Sequence, residues 1–253
     1  MSAMRELALV TLVLGPLVAC GGSSTTPAIG NSGGPGSIGP APTIAWSGGI
    51  PADQAGEFTT TGLPAVAADG SRVIAAWRRE DGGRGMPNLT LVVRDRTDTE
   101  VHAQVVLAAD AAEATTAAPE LGDHNAYLAQ TNVEIGWMPL RPAALTAGGE
   151  GDGFIDASTW DASDGDVGLH FDQDGHLVIE QRGTVVVDRL MSTWLAADRP
   201  MYEGAPPDEI CHNPAALTEA FLDGGRRLVL VRTAFRGTDT CWEPDGEYHV
   251  VSW

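Results

Sequence analysis

The chain has 253 residues, a formal net charge of −19 and 15 basic residues, every one of them arginine. That balance argues against a nucleic-acid partner, because phosphate binding needs a basic patch that releases counterions, and the short clusters Arg78-Arg79 and Arg226-Arg227 both sit among carboxylates. The negative field instead favours a soluble monomer, and few aromatics beside abundant Gly, Pro and Asp favour short strands and turns over long helices.

From Leu7 to Ala19 the chain reads LALVTLVLGPLVA, well short of the roughly twenty residues a membrane-crossing helix needs. It has the length of a signal-peptide core, broken by Gly15-Pro16 just ahead of a cut expected after Ala19. Leu17-Val18-Ala19-Cys20 resembles the lipobox of bacterial lipoproteins. The resemblance implies a Cys20 thiol carrying diacylglycerol, removal of residues 1–19, and an acylated new amino terminus of the kind palmitate supplies. Several acyl chains, at about 0.8 kcal/mol per buried CH₂, make such an attachment effectively permanent. Gly21 in place of Asp, by the same resemblance, favours an outer membrane over an inner one. The expected location is therefore the cell envelope, on the extracytoplasmic side, with the membrane itself as one partner.

From Cys20 to Pro42 the chain is rich in Gly, Ser, Pro and Thr, and no charge occurs between Gly21 and Ala52. Such a segment buries too little apolar surface to offset its ordering entropy and reads as a disordered tether. Residues 43–253 then form one β-rich domain.

Within it, Leu63 to Trp77 reads as two strands around Asp69-Gly70, and Asn88 to Leu107 as two more around Thr97-Asp98, a four-stranded meander. A weak Ala-rich run at Ala108–Ala118 and a segment at Asp123–Thr131, capped by Asp123, are the two short helices expected. The stretch VGLHFDQDGHLVIEQ, from Val167, sets its own register. A three-residue loop Gln173-Asp174-Gly175 with Gly175 left-handed pairs Asp172 with His176 and puts Val167, Leu169, Phe171, Leu177 and Ile179 on one face; a two-residue loop mixes the faces. Thr184 to Met191 continues that sheet. A hairpin around Asp223-Gly224-Gly225 leads into Leu228-Val229-Leu230-Val231, which reads as a strand buried on both faces, and EYHVVSW closes the chain as a last strand. The fold expected is all-β, an antiparallel two-sheet sandwich or irregular barrel, with a small four- or five-bladed propeller as the alternative.

With Cys20 acylated, Cys211 and Cys241 form an even pair in an oxidising compartment, and a disulfide is expected between them. Gly148 to Asp166 is strongly acidic. Aligned to a calcium loop it places Glu150, Asp152, Gly153 and Asp156 suitably, but Gly148 and Thr159 stand at the first and closing ligand positions. The readings are a solvated loop or, short of an EF-hand, a calcium site drawn from Asp152, Asp156, Asp161, Asp164 and Asp166. His170, Asp172 and His176 share a strand face at a spacing open to a transition metal, and equally to ordinary exposed polar residues. Arg236, Trp242, Glu243 and Tyr248 are side chains of the kind that build ligand sites, with Trp242 packing over the expected disulfide as the alternative role. No catalytic motif is visible, and no cofactor beyond calcium is expected. The sequence thus points to a tethered binding or structural module for an unidentified protein or small molecule. The alternatives are an extracytoplasmic hydrolase with dispersed catalytic groups and a calcium-stabilised adhesin-like domain.

Overall fold

The structure, a computed structural model, describes residues 39–46, 58–79, 88–108, 119–150, 157–191, 194, 199–200, 206, 210–211, 215–235 and 246–253. These lie in one compact unit spanning 38–253. A first hairpin joins β1 (Thr43–Trp46) to β2 (Phe58–Thr61). The expected meander follows, as β3 (Ala65–Ala67), β4 (Arg72–Trp77), β5 (Leu89–Asp95) and β6 (Glu100–Leu107). Turn chemistry places its corners. Gly70 takes φ 73° while Asp69 Oδ1 accepts the Ser71 N–H at 2.9 Å. At the next corner, Asp95 Oδ1 accepts the Thr97 hydroxyl at 2.7 Å and the N–H groups of Thr97 and Thr99, bonds that hold its carboxyl below the usual range.

Helix α1 (Gly122–Ile135) crosses the sheet and delivers β7 (Trp137–Pro139) to its other edge, giving the order β6-β5-β4-β3-β7. The helix is longer than the Asp123–Thr131 expected. Leu121 occupies the N-cap without a side-chain bond, so Asp123 is a first-turn carboxylate rather than a cap. It ends on Gly136 at φ 70°, whose N–H donates to the Asn132 carbonyl, while Asn132 Oδ1 accepts the Trp137 N–H at 2.9 Å. Asn125 bonds both backbone groups of Ile44, tying β1 to the helix. Of the other expected helix, Ala108–Ala118, residues 109–118 lie outside the described residues.

A second sheet, order β12-β11-β10-β9-β8, contains β8 (Leu145–Gly148), β9 (Thr159–Asp164), β10 (Val167–Asp172), β11 (His176–Gln181) and β12 (Thr184–Leu190). The β10–β11 register is the one the apolar pattern demands: Phe171 opposes Leu177, His170 opposes Val178, and Gly175 has φ 83°. All five residues assigned to the inner face are at most 3% exposed. Replacing Gly175 by alanine forces an L side chain into a left-handed conformation and is expected to cost about 1–2 kcal/mol; urea unfolding measures it. A two-stranded ribbon, β13 (Arg199–Pro200) with β14 (Ile210–Cys211), follows.

The third sheet, β15 (Ala215–Asp223), β16 (Leu228–Phe235) and β17 (Glu247–Ser252), lies between the other two. Leu228, Val229, Leu230 and Val231 are each 0% exposed because both faces of β16 are covered. Val229 and Val231 pack with Phe171, Leu177 and Ile179 of the β8–β12 sheet, whereas Leu228 and Leu230 pack with Val73, Ala75 and Val92 of the meander. The expected antiparallel sandwich therefore forms, with three sheets in the stack and none closed into a barrel. The stack is linear. The meander's far face carries α1, with Leu128 and Trp137 in the core, and the far face of the β8–β12 sheet carries His170 and Glu180, so the ends do not meet as propeller blades would. Among the described residues no helix is long and apolar enough to cross a membrane.

Candidate functional site

A cleft of about 550 Å³ opens where the meander and the central sheet diverge, its rim completed by β2 and by residues 140–142. Its polar floor is a cross-strand row. Glu219 of β15 opposes Arg232 of β16, which opposes Tyr248 of β17. A β-bulge between Leu217 and Glu219 creates the row. In a regular strand these two residues share a face; the extra residue leaves Leu217 in the core against the β8–β12 sheet and turns Glu219 towards the cleft.

The row is internally bonded. Tyr248 donates its hydroxyl to Glu219 Oε2 at 2.7 Å, and Arg232 Nη1 donates to Glu219 Oε1 at 3.1 Å. Burial pushes the Tyr248 phenol well above its usual range and the adjacent Glu219 charge adds to that, so Tyr248 stays a donor at any ordinary pH. The Tyr248 ring meets Trp77 edge to face, centroids 5.3 Å apart, and the Arg232 guanidinium carbon lies 5.9 Å from its centroid. Arg78, half-buried just past the end of β4, is a second arginine lining the cleft and has no ion pair among the described residues. Arg79 beside it is committed to Glu100 at 2.8 Å.

Of the binding residues expected near the C-terminus, Tyr248 lines this cleft, while Arg236, Trp242 and Glu243 lie outside the described residues. Tyr248 works with Trp77, Glu219 and Arg232 from three other strands. The signal for Glu219 was the break in alternation at Leu217-Thr218-Glu219.

Asp152 and Asp156 lie outside the described residues, as do Cys20, Cys241 and the side chain of Cys211. The rest of the acidic segment is not simply a loop: β9 alternates, with Trp160 and Ala162 in the core and Asp161 outside. Asp161 bonds His170 Nδ1 at 2.8 Å, Asp166 bonds Arg182 Nε at 2.7 Å, and Asp164 is exposed at the strand end. The candidate transition-metal set His170, Asp172 and His176 is divided among separate partners. His170 pairs with Asp161, His176 Nε2 bonds Asp188 at 2.6 Å, and Asp172 accepts the backbone N–H of His176. Among the described residues no three His, Cys, Asp or Glu side chains gather as a metal would require.

One further constellation has the connectivity of a nucleophilic relay. His249 Nδ1 lies 3.1 Å from Asp98 Oδ2, and His249 Nε2 lies 3.4 Å from the Thr233 hydroxyl. Thr233 is 0% exposed and His249 stacks on Trp194 at 4.5 Å, so the hydroxyl faces packed side chains rather than an opening for substrate. The arrangement is a tie between sheets. No protein-family model, curated protein or solved structure matches the chain.

Proposed function

We propose that the chain is a lipid-anchored envelope protein whose β-rich domain binds a ligand in the cleft between the meander and the central sheet. The observation that carries the binding half is the Glu219–Arg232–Tyr248 row: three side chains already held by one another, beside an aromatic wall, in a concavity of ligand size. Preorganisation of this kind lowers the ordering cost of binding. The anchoring half rests on the Leu17-Val18-Ala19-Cys20 motif and the uncharged Gly/Ser/Pro segment behind it. The typical reach of such a segment, roughly 25 Å for about twenty-two residues, lifts a domain clear of lipid headgroups.

Expression in a bacterial host with labelled palmitate tests the anchor. The wild type is expected in the membrane fraction carrying label, and Cys20→Ser is expected to lose the label. An unmodified Cys20 thiol by mass spectrometry of the wild type refutes the anchor. A thermal-shift screen of the purified domain against small acids, amides and amines tests the cleft, where a shift abolished by a bulky Ala76→Trp plug supports it and the absence of any shift refutes it; Ala76 is a partly exposed lining residue.

A further inference from the structure

Resting on the cleft reading above, we infer that the ligand is an organic carboxylate with an apolar body, its carboxylate seated between Arg232 and Arg78. The charge count in the cleft is unusual for so acidic a protein. Two arginines and one carboxylate line it, and that carboxylate is spent internally, since both Glu219 oxygens already accept bonds from Tyr248 and Arg232. Glu219 therefore acts as a brace that fixes the direction of Arg232.

Arg232 uses Nη1 in this brace. Its Nε is buried and has no hydrogen-bond partner among the described residues. That nitrogen is closed even to water, so it is not a point of attachment for a ligand. Nη2 makes no hydrogen bond among the described residues and is not buried, which leaves it as the donor a ligand carboxylate in the cleft can reach. Arg78 adds a second positive charge at the same opening. The walls set the rest of the molecule. Phe58, Leu63, Leu89, Leu140 and Phe221 present hydrocarbon, and Trp77 with Tyr248 offers aromatic edges, which together exclude a small, fully hydrated anion as the best fit.

Isothermal titration calorimetry of the purified domain with 3-phenylpropanoate, its primary amide and 3-phenylpropylamine tests the inference. The acid is expected to bind, the amide to bind about ten-fold more weakly, and the amine not to bind. Arg78→Gln and Arg232→Gln are each expected to weaken the acid about ten-fold while leaving the amide unchanged. Glu219→Gln removes the opposing charge but keeps a carbonyl that accepts from Arg232 Nη1, so it is expected to tighten the acid, which a purely structural role for Glu219 does not produce. Circular dichroism checks that Arg232→Gln is folded; if it is not, Arg78→Gln, at a half-buried position past the strand end, carries the decision. A matched pair, N-acetyl-alanyl-phenylalanine and its C-terminal amide, distinguishes a peptide C-terminus from a free small acid as the source of the carboxylate. Binding of amide or amine equal to or tighter than the acid overturns the inference and leaves the cleft a binding site. No binding by any probe overturns both.

Discussion

Substituting alanine for Asp98 is expected to lower the unfolding free energy by about 2–4 kcal/mol, far more than a surface turn residue ordinarily costs. Asp98 sits at the β5–β6 corner with φ 64°, yet its carboxylate is spent on the central sheet. Oδ1 accepts the Val250 N–H at 2.7 Å and Arg94 Nη1 at 3.1 Å, and Oδ2 faces His249 Nδ1 at 3.1 Å. The Arg94 and His249 side chains are only 10% and 8% exposed, so removing the Asp98 carboxylate takes the partner from His249 Nδ1 and the Val250 N–H in a poorly hydrated setting, while Arg94 keeps the Asp98 carbonyl at 2.8 Å. Arg94 retains its ion pair with Glu247, which limits the loss. Asp98→Gly separates the two roles. Glycine adopts the left-handed turn without strain, so a local role predicts no loss, whereas the tie between sheets predicts nearly the full alanine penalty. Urea unfolding of both variants decides, and a stable glycine variant ends the argument for Asp98 as a cross-sheet tie.

The same contrast between local and distant causes decides what was legible in the sequence. The β10–β11 hairpin could be read to the residue because its turn, its positive-φ glycine and its apolar alternation all sit within fifteen residues and agree. The meander, the β15–β16 hairpin and the doubly buried Leu228–Val231 strand were visible for the same reason. β9 was obscured because Asp161, Ser163 and Asp164 point outward around just two core residues, Trp160 and Ala162, leaving an acidic composition that resembles a loop. β1, β2, β7 and β8 are three or four residues long, too short for a period to declare itself. The stacking order of the sheets, and with it the third layer, depends on contacts between distant segments that no local pattern records. The cleft was legible only at Tyr248. Glu219 reaches it through a bulge, and Trp77 through packing of a strand some 170 positions away in the chain (248 − 77 = 171).

The central sheet makes a second large effect predictable. Leu230→Ala is expected to cost about 2–5 kcal/mol and Val229→Ala about 1.5–3 kcal/mol, the lost burial adding to the cavity left behind. The two neighbours serve different cores: Leu230 packs towards the meander and Val229 towards the β8–β12 sheet. Because one strand supplies both, neither core persists when the other melts, and each variant should shift a single transition without changing its slope in urea. Tryptophans report the two sides separately, Trp77 and Trp137 from the meander and Trp160 and Trp194 from the β8–β12 side. Fluorescence of single-tryptophan variants is therefore expected to trace the same midpoint as far-UV circular dichroism. If Leu230→Ala instead melted the meander while Trp160 kept its native signal, the layers would be separable units, and the cleft between meander and central sheet would lose the rigid floor that its preorganisation requires.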